Sequence, residues 1–402
     1  MTKEFVILGG VRTPMAEYSG TPGYGLFQDL SAIELGAIAT RAALERTRVS
    51  PQQVDQVFFG NVNQTSADAL YGARHIALRA GLPIETPALT VNRICGSGIQ
   101  SVVSACHAMA VGEARLCISG GSESMSQAPF VLRGIRNGIR FGTQPPLEDL
   151  LYAALYDPFC GFFMAQTAEN IAKKWSIPRE AQDEYALRSH RLGAAAVKSG
   201  KFAAEITPVT VKKGRQEVTV TTDDHIKPDT TLEVLAKLRP AFGKEGTVTA
   251  GNASGIVDGA AALVVSTADR AKELGLFPMA RIVSWGIAGV PPEIMGIGPV
   301  PAIRKACEKA GIAVGALDLI EINEAFSAQY LGCEKELELD REKCNVNGGA
   351  IALGHPLGAT GTRLLLTLVR ELHDRKLRYG CASACIGGGQ GIAMIVERIP
   401  GA

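Results

Sequence analysis

The sequence predicts a layered α/β fold built from two repeated halves, one of which carries an inserted segment. Three observations predict it. The stretches ALERTRVSPQQVDQVFFGN (43–61) and ACEKAGIAVGALDLIEINE (306–324) share a helix, a short turn and an apolar strand in the same order, with Asp55 and Asp318 in register. Cys95-Gly-Ser-Gly opens a segment whose Ile99, Val102, Val103, Cys106 and Ala110 recur at helical spacing ahead of the strand RLCISGG. GHPLGATG opens its counterpart, with Leu365, Leu368, Val369 and Leu372 ahead of CASACIGGG. The second copy runs at once into the strand QGIAMIVE, whereas the first reaches GAAALVVS only at residue 259.

These offsets divide the chain. Residues 1–124 with 248–274 form the first half, 125–247 the insertion and 275–402 the second half. The insertion shows mixed helix patterns, several prolines and a hairpin centred on TVKKGRQEVTV. Strands alternating with helices in each half imply two sheets packed around shared helices. Duplication also implies one composite site: if the halves are related by a pseudo-twofold axis, the loop before the first long helix (Cys95) approaches its counterpart (His355) and the loop after the late strand (Cys385).

Composition bounds the function. At 402 residues the chain exceeds one ordinary core. Its 46% hydrophobic and 20% charged residues describe a folded globular protein. Net charge is +1 with no long single-sign block, so neither nucleic acid nor an anionic membrane is the indicated partner. The apolar run near the start is bounded by Glu4 and Arg12 and does not match a secretory signal. Five residues of Gly387–Gly391 interrupt the longest uncharged stretch, which rules against a membrane span there. Nine cysteines, an odd count without disulfide-like spacing, indicate a reducing compartment. Cys381 and Cys385 lack the CxxC pair or histidine cluster that a zinc site needs, so no metal is expected.

Five residues carry candidate chemistry. Cys95 falls at a helix start, where unpaired N–H groups and the helix dipole favour a thiolate; a buried inert cysteine is the alternative. His355, held between Gly354 and Pro356, suits a base that must stay in place, or else it satisfies a turn. Cys385 precedes IGGGQG, whose glycines let backbone N–H groups approach a substrate as an oxyanion hole requires. Asn323 and Glu324 end an apolar strand and either face a site or cap the next helix. His107 and His75 read as helix residues, and His190, His225 and His373 as exposed ones.

The set NRICGSG, GGSESMS, TVTAGNASG, NEAF, NVNGGAIALGHPLGATG and CIGGGQG, in this order, resembles the thiolase family across almost the whole chain. SADALYGARHIALRAGLPIETPALT and GGSESMSQAPF are further similar to the degradative 3-ketoacyl-CoA thiolases of mitochondrial type. The resemblance implies a thiolase fold, with two βαβαβαββ halves in an αβαβα arrangement and a loop domain covering coenzyme A. It implies reversible, CoA-dependent cleavage of 3-ketoacyl-CoA to acyl-CoA and acetyl-CoA by a ping-pong route, with the reverse a Claisen condensation, in fatty-acid or related acyl breakdown. Cys95 would carry the acyl group, His355 would activate it, and Cys385 would move a proton at the α-carbon. Asn323 through a water, with His355, would form one oxyanion hole, and the N–H groups of Cys95 and Gly387 the other.

By the same resemblance Ser254 would touch pantetheine, Lys227 and Phe242 the nucleotide, and Met164 and Phe326 the acyl group. No cofactor is implied, because coenzyme A and acyl-CoA are substrates. A homodimer or homotetramer is implied as well. Phe163 departs from the histidine that acetoacetyl-CoA-forming thiolases carry before this methionine, which argues against strict biosynthetic activity. The alternatives are that biosynthetic reaction, a ketoacyl synthase-like condensing enzyme, and a non-catalytic acyl-CoA binder. With no cleavable leader evident, cytoplasm is the default compartment and the mitochondrial matrix the alternative.

Overall fold

A computed structural model describes residues 3–243 and 245–401. The first half runs β1 (Phe5–Arg12), α1 (Ala32–Thr47), β2 (Gln56–Gly60), α2 (Gly72–Arg79), β3 (Ala88–Val91), α3 (Ser97–Val111) and β4 (Leu116–Glu123). Local chemistry sets the bounds. Ser31 and Glu34 form a reciprocal capping box at the start of α1, and Arg48 ends that helix in the left-handed conformation.

Elements off the main sheet follow: β5 (Tyr156–Asp157), β6 (Phe162–Phe163), α4 (Met164–Lys174), α5 (Arg179–Lys198), β7 (Val209–Lys213) and β8 (Gln216–Val220). The β7–β8 pair is the hairpin expected from TVKKGRQEVTV, turning at Gly214 with φ 65°. The chain then returns to the sheet as β9 (Val257–Thr267), which holds the strand GAAALVVS. The second half follows with β10 (Ala280–Gly289), α6 (Pro299–Ala310), β11 (Leu319–Ile322), α7 (Ser327–Leu337), α8 (Ala350–Leu353), α9 (Leu357–Asp374), β12 (Tyr379–Ile386) and β13 (Gln390–Arg398).

The halves differ where the first has β3. In the second half Cys344 makes one isolated bridge to Ile320. The amide of Asn345 stands in for a ladder, donating to the Ile322 carbonyl and accepting from the Ile322 N–H, both at 2.9 Å.

The two sheets expected from the repeats meet edge to edge in one ten-stranded sheet, ordered β11-β12-β13-β10-β1-β9-β4-β2-β3, with Ala16–Glu17 paired beside β9. Only Val6 with Arg281 and Ile7 with Ala280 make the junction. Pairing first strand to first strand across the pseudo-axis satisfies two edges that would otherwise be open. Helices α1 and α6 cover the outer faces, while α3 and α9 lie between the halves. One apolar core unites those two helices with Phe58 and Leu263 of the first half and Ala384 and Met394 of the second. In β9, Leu263 and Val265 face this inner layer and Ala262 and Val264 face the outer one, the alternation of a strand buried on both sides.

Glycine sets the distance between the central helices. A Cβ on Gly98 would lie 2.3 Å from the Thr362 nitrogen, and one on Gly361 would lie 2.5 Å from the Ile99 nitrogen. Any side chain at either position would drive α3 and α9 apart. The close crossing brings the two helix starts, and therefore Cys95 and His355, into one region.

Candidate active site

Cys95 sits in a tight turn before α3. Ile94 is held at φ 46°, a left-handed conformation that a β-branched residue rarely adopts and that clusters at functional positions. The turn is over-determined: the Ile94 N–H donates to Asn92 Oδ1 at 2.9 Å, the Arg93 N–H to Ser97 Oγ at 2.8 Å, and the Gly96 N–H to the Arg93 carbonyl at 2.9 Å. Arg93 also donates to Gln390 at 2.8 Å, tying the turn to the glycine loop that follows Cys385. In that loop Gly388 and Gly389 have φ 80° and 83°, and the Gly387 N–H favours the ionised form of the Cys95 thiol.

His355 enters from the second half. Its N–H donates to the Gly255 carbonyl at 2.9 Å, which fixes the loop. Thr360 Oγ1 donates to the Pro356 carbonyl at 3.1 Å, so it accepts from His355 Nδ1 at 2.6 Å. That bonding assigns the proton to Nδ1 and leaves Nε2 as the unprotonated nitrogen, the one that can act as a base. Asn323 Nδ2 donates to Nε2 at 3.2 Å, and the same side chain favours the ionised form of the Cys385 thiol. Asn323 Oδ1 is buried and unpartnered, which fits an acceptor awaiting a water or substrate group. Residues from both halves thus converge.

Burial sets the protonation states. The Cys95 thiol is pushed up to about 11, chiefly by burial, with the N–H groups of Gly387 and Cys95 pulling the other way. This corrects the depressed thiol expected from a helix start: desolvation outweighs the dipole in the free protein. Cys385, also fully buried, is raised well above the ordinary thiol range, first by burial and then by Cys95. Burial, aided by the Arg363 charge, pulls His355 down to about 3. The resting site is therefore a neutral thiol beside a neutral imidazole.

The N-terminal domain model of thiolases matches residues 5–269 and the C-terminal domain model matches 276–398. The chain belongs to the thiolase family. It is 50% identical to the human mitochondrial 3-ketoacyl-CoA thiolase over 97% of both chains. It is 48% identical to the beta-ketothiolase BktB of Cupriavidus necator, covering 99% of this chain and 100% of that one. The crystal structure of the human mitochondrial enzyme superposes with a TM-score of 0.96 at 49% identity, covering 99% of this chain and 100% of that chain; its complex with CoA gives 0.95, covering 99% and 98%.

Other positions expected from a thiolase fall in two places. Met164, Ser254, Phe326 and Phe242 line a mostly apolar cavity of about 210 Å³ that ends at His355. Lys227 stands outside it, with Nζ donating to Tyr24 Oη at 2.6 Å and 3.5 Å from Glu17. Among the described residues no group of three His, Cys, Asp or Glu side chains is arranged to hold a metal ion.

Three histidine expectations need correction. His190 is buried, accepting the Lys227 N–H at 3.2 Å, and His225 is largely buried against Glu17 at 2.9 Å; distant segments cover them, which local charge did not reveal. His373 is half-buried, bonded to the Met279 carbonyl.

Three supporting residues escaped sequence reasoning. Thr360 sets the His355 tautomer. Glu324, fully buried, neither faces the site nor caps the next helix: it accepts from Tyr185, Ser189, Asn345 and the Ile351 N–H at the start of α8, anchoring the strand end that presents Asn323. Glu123 accepts the N–H groups of Val62, Asn63 and Gly358 and the Asn61 amide. The only sequence signal for Glu324 was its place beside Asn323, and Glu123 offered none beyond its position at a strand end.

Proposed function

We propose that the chain is a 3-ketoacyl-CoA thiolase in which Cys95 carries the acyl group. His355 takes the thiol proton as the sulfur attacks the ketone carbon, and the N–H groups of Cys95 and Gly387 receive the developing oxyanion. The C2–C3 bond breaks. The Cys385 thiol gives its proton to the carbanion left on acetyl-CoA, which departs. Coenzyme A then gives its thiol proton to the Cys385 thiolate and takes the acyl group from Cys95, whose departing sulfur regains its proton from His355. Every step is reversible, so the same groups serve Claisen condensation. Sulfur suits the nucleophile because acyl transfer between thioesters changes free energy little.

The carrying observation is the tie of the Cys95 turn, through Arg93 and Gln390 at 2.8 Å, to the glycine loop after Cys385, in the same half as the imidazole whose Nε2 meets Asn323 at 3.2 Å. Asn323 with a water, and His355, supply the hole for the enolate oxygen of acetyl-CoA. Pantetheine lies along Ser254, the acyl group against Met164 and Phe326, and the nucleotide near Lys227 and Phe242. A dimer or tetramer in the cytoplasm or the mitochondrial matrix is the working form. The packing of Phe163 among aromatic rings, with no polar group offered to the cavity, favours the degradative direction over strict acetoacetyl-CoA synthesis.

Mixing the protein with acetoacetyl-CoA and free coenzyme A tests the activity: loss of the ketoacyl thioester is expected, and none would defeat the reading. Cys385→Ala is expected to leave acetyl transfer onto Cys95 intact and to slow condensation about 10²–10⁴-fold; unchanged turnover would remove Cys385 from its assigned role.

A further inference from the structure

The oxyanion hole of the proposed mechanism takes one donor from each half. The Cys95 N–H belongs to the turn before α3 and the Gly387 N–H to the loop between β12 and β13. Such donors must lie about 2.7–3.1 Å from the oxyanion, so the two segments have to hold a common register. The second segment cannot do this with side chains of its own. Gly387, Gly388 and Gly389 have none, and the last two stand at φ 80° and 83°. Gln390 is the first residue after them that carries a side chain.

The first half decides where that side chain goes. Arg93, two residues ahead of Cys95, donates from Nη1 to Gln390 Oε1 and from Nε to Gln100 Oε1, both at 2.8 Å. Arginine offers donors only, so both amides turn their oxygens to it, and Gln100 keeps its Nε2 for Ser104 Oγ at 3.2 Å. The guanidinium is therefore forked between α3 and the start of β13. Backbone bonds secure each end: the Arg93 carbonyl accepts the Gly96 N–H at 2.9 Å, and the Gly389 carbonyl accepts the Val290 N–H at 2.8 Å. Between these anchors Ile94 keeps its left-handed φ of 46°, and Gly387 packs so near that an added Cβ would come 3.8 Å from Ile94 Cδ1. A conformation such as that of Ile94 persists only while its surroundings over-determine it.

Deepening the thiolase reading, on which it rests, we propose that Arg93 and Gln390 are positioning residues: their bond locks the nucleophile turn to the glycine loop and sets the Cys95 and Gly387 N–H groups at the spacing one oxyanion requires. The bond acts on acyl transfer, where the carbonyl oxygen becomes charged, and not on ground-state binding. Acetyl transfer from acetyl-CoA to Cys95, followed in a single turnover across acetyl-CoA concentrations, tests this. Arg93→Met, which keeps the stem and loses the donors, is expected to lower the saturating rate about 10–100-fold while the half-saturating concentration stays within about twofold. Gln390→Leu is expected to give the same loss, and the double variant to fall no more than about threefold below either single one. Arg93→Lys, with a donor on a long stem, is expected to recover at least about threefold over Arg93→Met.

A saturating rate in Arg93→Met within about twofold of wild type overturns the proposal. So do losses that multiply in the double variant, or a half-saturating concentration that rises in step with the loss, which would mark general damage to the site. No recovery in Arg93→Lys removes the hydrogen bond as the cause. Should Arg93→Met fail to fold, Gln390→Leu, at a half-buried strand start, carries the same expectation. Failure of the wild type to accept an acetyl group at all would instead strike the thiolase reading, so the two failures are separable.

Discussion

Helices α3 and α9 begin alike in the repeat and differ in what occupies their starts. Cys95 precedes Gly98 by the same spacing that separates Gly358 from Gly361, and those two glycines form the crossing of the pair. At α9 the Gly358 N–H is taken by Glu123, a carboxylate reaching across from the first half at 2.9 Å. At α3 the residue before the helix, Gly96, offers no side-chain cap, and Cys95 stands just ahead of it. Duplication produced two anion-favouring helix starts; one is filled by the protein's own charge and the other is left for substrate.

The structural partners stayed symmetric. Asp55 accepts the N–H groups of Arg115 and Leu116, and Asp318 those of Arg378 and Tyr379. Scaffold duties were kept alike in both copies, while each copy contributes different groups to the chemistry.

The largest effect expected from breaking this comparison is at Cys95 itself. Cys95→Ser should reduce turnover by about 10⁴-fold or more, measured as acyl-enzyme formation and steady-state rate. At the matching position, Gly358→Ala should act on folding: its Cβ would fall 2.7 Å and 2.8 Å from the Ser122 and Gly60 carbonyls. That costs about 1–3 kcal/mol in denaturant titration. Equal catalytic losses at the two positions would erase the asymmetry.

A second, intermediate effect is in pH. With Cys95 raised to about 11 and His355 lowered to about 3, both are neutral across the range between. Alkylation of Cys95 by iodoacetamide should therefore rise about tenfold per pH unit well past neutrality. A plateau near pH 7 would mean that a thiolate–imidazolium pair exists at rest. The smallest effects lie in the scaffold. Asp55→Asn and Asp318→Asn should each cost about 1–2 kcal/mol, nearly equally, because each keeps its place while weakening two bonds. Glu123→Gln should cost about 1–3 kcal/mol.

Legibility in the sequence followed how local each signal was. The repeat, the hairpin of residues 209–220 and the strand at 259 were readable because each depends on side-chain period and turn residues close in the chain. Cys95, His355, Cys385 and Asn323 were readable as reactive types at loop positions. Missed were the effects that need a neighbour from far away: the joining of two sheets through β1 and β10, the buried His190, and the Glu123 and Glu324 carboxylates, each with partners from at least two distant segments.

The sequence by itself determined a duplicated α/β chain and the thiol, imidazole and amide that its loops present, because pattern and residue chemistry are local properties. Only the tertiary structure decided how those groups ionise and how much room they face. Desolvation, the pairing of helix starts across the pseudo-axis and the stacking of Phe163 on Phe242 all depend on atoms that the chain brings together from opposite ends.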